Sequence, residues 1–165
     1  MSKTIILSDI AIQNRIRRIA YQIYEVNSDE KELILAGIAV NGAVLAEKIA
    51  GVLKQISPLK IKVCTLTIDK KNPLNSITTS LDTTEYIHKS VVLVDDVLHS
   101  GTTLMYAVRH FLAVPLKQLK TVVLVDRNHK KFPVKVDFKG ISLSTSLQDH
   151  VEVVFSADKD LAYLE

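Results

Sequence analysis

Short apolar runs and helical stripes alternate along this chain. Val91 to Val94, reading Val-Val-Leu-Val, is the run that looks most deeply buried. A mostly β-branched stretch of this kind reads as a strand covered on both faces, the usual state of a central parallel strand. It stops at two adjacent carboxylates, Asp95 and Asp96, and a loop of small hydroxyl residues follows. Beyond it Leu104, Ala107, Val108 and Phe111 fall at helical spacing. Upstream, Ile12, Ile16, Ile19, Ile23 and Val26 mark one face of a helix, with Ser8 as its N-cap and Asp9 in its acidic first turn. Leu33 to Val40 predicts a second buried strand, and Val44, Leu45, Ile49 and Leu53 the helix after it. Lys60 to Ile68 alternates as a third strand, and Leu119 to Val125 is another apolar one. Val134, Val136 and Phe138 alternate, and Val151 to Phe155 closes the pattern. Asp69 to Tyr86 shows no period and reads as a long loop, functional or mobile. Strands that alternate with amphipathic helices predict an α/β fold, a mostly parallel central sheet flanked by helices. The last short segments read as edge strands and a small hood.

In open sheets of this class, ligands sit outside the carboxyl ends of the strands. The turn after Val94 is built for one. Ser100, Gly101, Thr102 and Thr103 offer hydroxyls, backbone N–H groups and a glycine that lets a ligand approach, and a helix start favours phosphate. Asp95 and Asp96 would repel phosphate at the same point, so they face another part of the ligand. Carboxylates accept hydrogen bonds only, which suits a sugar diol or a hydrated Mg²⁺. Together these groups describe a ribose 5-phosphate site. The plain alternative is a solvated turn and a helix cap. Asn41-Gly42 also stands between a strand end and a helix start; it reads as a hairpin turn or a weaker anion site, and the helical pattern beyond it argues against the hairpin. Asp126, Arg127 and His129, at the end of the Leu119 strand, face the same rim as Asp95.

Val91 to Thr103 resembles the phosphoribosyl pyrophosphate signature of the type I phosphoribosyltransferases: hydrophobic strand, Asp-Asp, and a loop ending Gly-Thr-Thr. That likeness implies that Asp95 and Asp96 hold the ribose 2′ and 3′ hydroxyls. It implies that His99, Ser100, Gly101, Thr102 and Thr103 wrap the 5′-phosphate, and that Val40, Asn41 and Gly42 form the pyrophosphate loop. The 69–86 segment would be a hood over the site, with Asp69, Lys70 and Lys71 able to reach pyrophosphate. The likeness runs on through Ile6-Leu7-Ser8-Asp9, Val123 to His129, Phe132-Pro133, and Gly140 before Ser144-Thr145-Ser146. These segments are similar to the bifunctional pyrimidine operon regulatory protein and uracil phosphoribosyltransferase family. The resemblance implies transfer of phosphoribose to a pyrimidine, uracil foremost, with Asp126, Arg127 and His129 near the base. It implies Mg²⁺ held through ligand and water, with no ligand directly from the protein, and a homo-oligomer. A purine acceptor stays open, as does a nucleotide-sensing regulator with little catalysis.

This sequence departs from the family pattern at two places. Asn41 stands where the pyrophosphate loop often carries Arg or Lys; its amide can donate to pyrophosphate but adds no charge. Ser146 to His150 reads Ser-Leu-Gln-Asp-His, where the regulator usually presents basic residues. Nucleic-acid affinity comes mostly from such contacts, so RNA is a weakly supported partner. Only 5% of residues are aromatic and none is Trp, which offers little stacking surface for unpaired bases.

Length and composition add limits. The 165 residues suit one domain, 47% apolar and 24% charged residues suit a packed core, and the net charge of +3 alone argues for no nucleic acid. Arg15, Arg17 and Arg18 give the first helix a basic face, more readily solvated than bound to a partner. The single Cys64 excludes an internal disulfide and reads as core filler. No apolar run approaches the ~20 residues of a membrane helix, so the expected place is the cytosol, with no membrane partner.

Overall fold

The computed structural model of the protein describes residues 3–165. The chain runs β1 (Thr4–Leu7), α1 (Asp9–Val26), β2 (Glu32–Ile38), α2 (Asn41–Ile56), β3 (Lys60–Thr67), β4 (Thr78–Thr79) and α3 (Thr83–Tyr86). It continues with β5 (Ser90–Leu98), α4 (Thr102–Phe111), β6 (Gln118–Arg127), β7 (Phe138–Leu143), β8 (Val151–Val154) and β9 (Leu161–Leu164). Six strands form the main sheet in the order β4-β3-β2-β5-β6-β7, parallel except for the β4 edge. This is the α/β architecture that the alternation of runs and stripes predicts.

Alternation within each central strand divides the core between two faces, because successive side chains point to opposite sides of a sheet. Leu33, Leu35, Val92, Val94, Val122 and Leu124 pack under α1 and α2. Ile34, Ala36, Ile38, Val91, Leu93 and Val123 pack against α4 on the other side. The stripe of α1 is buried at Ile12, Ile16, Ile19 and Ile23, while Val26 at its end is exposed. Ser8 caps the helix by accepting the Ala11 N–H. Cys64 is buried in the core on the α4 side.

The remaining strands, in the order β1-β9-β8, make a small antiparallel sheet that stands over the carboxyl end of β5. This is the hood, and its construction differs from the expectation. Val151–Val154 joins this second sheet, and β1 and β9 complete it; four-residue strands are too short to show a period. Asp160 holds the hood down. Its buried carboxylate accepts from Gln13 Nε2 at 2.8 Å and pairs with Lys48 at 2.9 Å, and its N–H donates to Asp9 at 2.9 Å.

Two further segments depart from the sequence reading. Within 69–86 the chain is ordered by polar groups with no hydrophobic period. The Asp69 carboxylate accepts from the N–H groups of Lys71 and Asn72 and from the Asn75 amide, and Asp82 and Glu85 form a capping box at α3. Val134 and Val136 precede the strand and fill the core beside α4; β7 begins only at Phe138. No helix among the described residues is long and apolar enough to cross a membrane.

Asp160→Ala removes the anchor of the hood and leaves Lys48 without its counter-ion. It should lower unfolding free energy by about 1.5–3 kcal/mol, the range for hydrogen bonds to a charged group. Urea denaturation checks this; an unchanged midpoint would show that the hood is held elsewhere.

Candidate active site

The carboxyl ends of β5 and β6, the starts of α2 and α4 and the hood enclose a cleft of about 370 Å³. Asp95 lies at its floor, 4% exposed, and Asp96 stands partly exposed above it. Asp95 Oδ1 accepts the Asp96 N–H at 3.0 Å, and Asp96 Oδ1 accepts the Val97 N–H at 2.9 Å. Burial, reinforced by the neighbouring Asp96 charge, pushes the Asp95 carboxyl up to about 8. At neutral pH Asp95 therefore holds its proton.

Gly42 explains how this carboxyl can be so deep. A Cβ there would stand 2.6 Å from the Val94 carbonyl and 3.0 Å from the Asp95 Cα, so only glycine lets the start of α2 press against β5. Asn41 comes before it at the cleft wall. Its Nδ2 donates to Asp96 Oδ2 at 2.8 Å and to the Val153 carbonyl at 2.9 Å. Both amide protons are thus engaged by protein acceptors. Val40 is 76% exposed beside the helix start, and the Ala39–Val40 peptide is cis.

Across the cleft, Gly101 takes φ of 86°, and α4 begins at Thr102. A Cβ at Gly101 would also meet Val134 Cγ1 at 2.6 Å. Ser100 Oγ accepts the Thr102 N–H at 3.3 Å and shares a hydrogen bond with Thr102 Oγ1 at 2.9 Å. The Ser100 carbonyl accepts from the N–H groups of Lys131 and Phe132, which fixes this loop to the chain after β6. His99, Ser100, Gly101 and Thr103 line the cleft, and Thr102 does not.

The 126–129 stretch is tied to protein partners on both sides of the rim. Of its three expected residues, Arg127 lines the cleft, and Asp126 and His129 do not. Asp126 pairs with Lys130 and Lys139, both at 2.9 Å; burial works to raise its pKa, and the two ammonium groups outweigh it and keep it below the usual range. Arg127 donates to Thr145, Asn128 to Ser144 and His129 to the Thr145 carbonyl. Together they clamp the 144–146 loop leading into the hood.

Of the three loop candidates, Lys70 reaches the cleft and Asp69 and Lys71 do not. The cleft also holds residues that the sequence did not single out: His150, Glu152 and Val153 line it from the hood. Among the described residues β8 pairs only with β9, so its outer edge offers unpaired backbone groups, and Val153 shows that this edge faces the site. Backbone groups carry no residue identity, which is why no sequence signal marks them. No cluster of three potential metal-ligating side chains exists among the described residues.

The sequence of residues 3–160 matches the model of the phosphoribosyl transferase domain. Bifunctional protein PyrR of Staphylococcus aureus is 37% identical over 162 residues, covering 93% of this chain and 92% of that protein. Among solved structures, the hypoxanthine phosphoribosyltransferase of Trypanosoma cruzi aligns with a TM-score of 0.78 over 98% of this chain and 96% of its own, at 17% identity. A hypoxanthine-guanine phosphoribosyltransferase of Bacillus anthracis aligns with a TM-score of 0.71 at 18% identity, over 87% and 84% of the two chains. The structural likenesses speak for the fold alone.

Asp95 gives a pH prediction. Its folded pKa of about 8 lies above the unfolded value, so between pH 4 and pH 8 the unfolded chain releases a proton that the fold retains. Ligand-free stability then falls through this group as pH rises, by at most about 1.4 kcal/mol per pH unit. Asp95→Asn should be neutral below pH 4, stabilising by a growing margin up to about pH 8, and level above it. Melting temperature against pH for both proteins checks this; parallel curves would contradict it.

Proposed function

The chain belongs to the phosphoribosyl transferase domain family, and from that premise we propose that it moves 5-phosphoribose from phosphoribosyl pyrophosphate to a pyrimidine, uracil foremost. The observation that carries the reading is one cleft with two unlike walls: the acidic pair Asp95 and Asp96, whose carboxyl oxygens accept hydrogen bonds, and the Ser100 to Thr103 helix start, which mostly donates. A ribose 5-phosphate is a molecule with a diol at one end and a phosphate at the other. The choice of pyrimidine rests on the likeness of Val123 to His129 and Ser144 to Ser146 to the pyrimidine regulator and transferase subgroup. The 37% identity to a bifunctional PyrR over nearly the whole of both chains supports that subgroup.

In this account the ribose ring gathers positive charge as pyrophosphate departs, and no side chain forms a covalent bond. Catalysis is positioning plus electrostatics. Asp95 and Asp96 orient the diol, and the negative charge of Asp96 lies close to the developing cation. The start of α4 holds the 5′-phosphate through hydroxyls and N–H groups. Lys70, whose charge reaches Asp95 across the cleft, is the side chain placed to meet the leaving group. The base lies under the hood, where the outer edge of β8 can match its alternating N–H and carbonyl groups. The donor set fits a divalent cation shared with phosphate oxygens and water, since no three metal-ligating side chains among the described residues converge into a cage. Mg²⁺ would supply charge neutralisation for the pyrophosphate.

One observation favours a second reading, a nucleotide-sensing regulator that binds the same ligand and turns it over little. Asn41 brings no charge to the pyrophosphate loop, and its amide is already engaged by Asp96 and Val153. An RNA target would need basic contacts that Ser146 to His150 does not supply.

The test is formation of uridine monophosphate from uracil, phosphoribosyl pyrophosphate and Mg²⁺, with hypoxanthine and guanine run in parallel. Turnover on uracil is expected. Asp95→Asn combined with Asp96→Asn should reduce it by roughly 100-fold or more, the scale for lost transition-state electrostatics, while the protein stays folded. Turnover on a purine in place of uracil would overturn the choice of base. Binding of phosphoribosyl pyrophosphate with no turnover on any base would move the assignment to the regulator.

A further inference from the structure

Arg127 is the largest side chain that is fully buried, at 1% exposure. Its hydrogen-bond partners are all neutral. Nε and Nη2 donate to Thr145 Oγ1 at 2.9 and 2.7 Å, Nη2 donates to the Ser146 carbonyl at 3.1 Å, and Nη1 donates to His99 Nδ1. A guanidinium so fully engaged by protein acceptors has little left for a base. Its geometry instead joins three segments: the end of β6, the loop after β5, and the hood loop.

The contact with His99 has a chemical consequence. Arginine has donors and no acceptor, so His99 Nδ1 must present a lone pair. The neutral ring then carries its proton on Nε2. Protonation at Nδ1 would set an N–H against the guanidinium and break the bond. The surrounding groups act in the same sense: burial, then Arg127 from β6, His150 from the hood and Lys131 from the chain after β6, all lower the pKa of His99. Nε2 has no protein partner among the described residues, and His99 lines the cleft next to Ser100 and Gly101.

We propose that Arg127 is a positioning residue that fixes His99 as a neutral Nε2–H donor for an oxygen of the ligand's 5′-phosphate. The proposal rests on the transferase reading for the identity of that ligand and on the hydrogen bonds alone for the state of His99. It assigns the phosphate end, because His99 adjoins the Ser100 to Thr103 loop; a carbonyl of the base is the other oxygen within the chemistry of such a donor. A neutral N–H extends the row of hydroxyl and backbone donors there without adding a charge that varies near neutral pH. It also couples hood to phosphate loop, since the same guanidinium holds Thr145 and Ser146.

Multiple-bond ¹H–¹⁵N NMR of ligand-free protein reads the tautomer directly. The expected spectrum has an unprotonated Nδ1 and a protonated Nε2 at His99, with the ring neutral to below the ordinary histidine range. Arg127→Met should convert this to a tautomer mixture that titrates nearer the ordinary value, and should raise KM for phosphoribosyl pyrophosphate about tenfold, one hydrogen bond's worth. Thr145→Val loosens the same guanidinium without removing it, and should weaken the Nε2–H preference even if the methionine variant does not fold. Ribose 5-phosphate should shift the His99 Nε2 resonance, and uracil alone should not. A wild-type His99 protonated on Nδ1, or a response to uracil without one to ribose 5-phosphate, would overturn the proposal. Absence of turnover would count against the proposed reaction and leave the tautomer reading standing, because that spectrum needs no substrate.

Discussion

Burying a carboxyl group at the end of β5 is the constraint around which the site is arranged. Asp95 is placed where its charge is costly, beneath a second carboxylate and against the start of α2. Several features of the chain answer that placement. Gly42 lacks the side chain that would strike Val94 and Asp95. The Asp96 N–H donates downward to Asp95, and the Asn41 amide ties Asp96 to the hood. A main sheet whose central strands are buried on both faces supplies the stability that such a site consumes. Functional sites commonly break local rules in this way, at the expense of the surrounding fold.

Much of the fold was legible because it follows from period. The stripe of α1 and the apolar runs of β2, β5 and β6 are patterns that only packing explains, and they lie where the pattern places them. Legibility fails where the cause is not hydrophobic. The Asp69 turn is made by one carboxylate accepting backbone N–H groups, and the α3 capping box by Asp82 and Glu85; neither leaves a period to read. β1 and β9 are four residues each, too short for alternation to stand out. Val134 and Val136 do alternate, yet they fill space beside α4 without entering a ladder.

The candidate site divides along the same line. Asp95, Asp96 and the Ser100 to Thr103 loop were readable because their chemistry lies in side chains and one glycine at fixed spacing. The far wall was not, since it is formed by the backbone edge of β8 and by residues whose partners are distant in sequence. Asn41 and Arg127 illustrate the limit. Their types suggest contact with ligand, and the structure engages their donors with protein groups, Asp96 and Val153 for one, Thr145, Ser146 and His99 for the other. A residue type states what a side chain can donate; only the fold states to whom.

The central claim, that the acidic pair and the start of α4 hold opposite ends of one phosphoribosyl ligand, is tested most directly by a crystal structure with phosphoribosyl pyrophosphate and Mg²⁺. The account predicts the ribose 2′ and 3′ hydroxyls about 2.7 Å from the Asp95 and Asp96 carboxyl oxygens, with the 5′-phosphate over Ser100 to Thr103. A ligand whose 5′-phosphate lies against Lys70 or the hood, with the acidic pair turned away from the ribose, would contradict it.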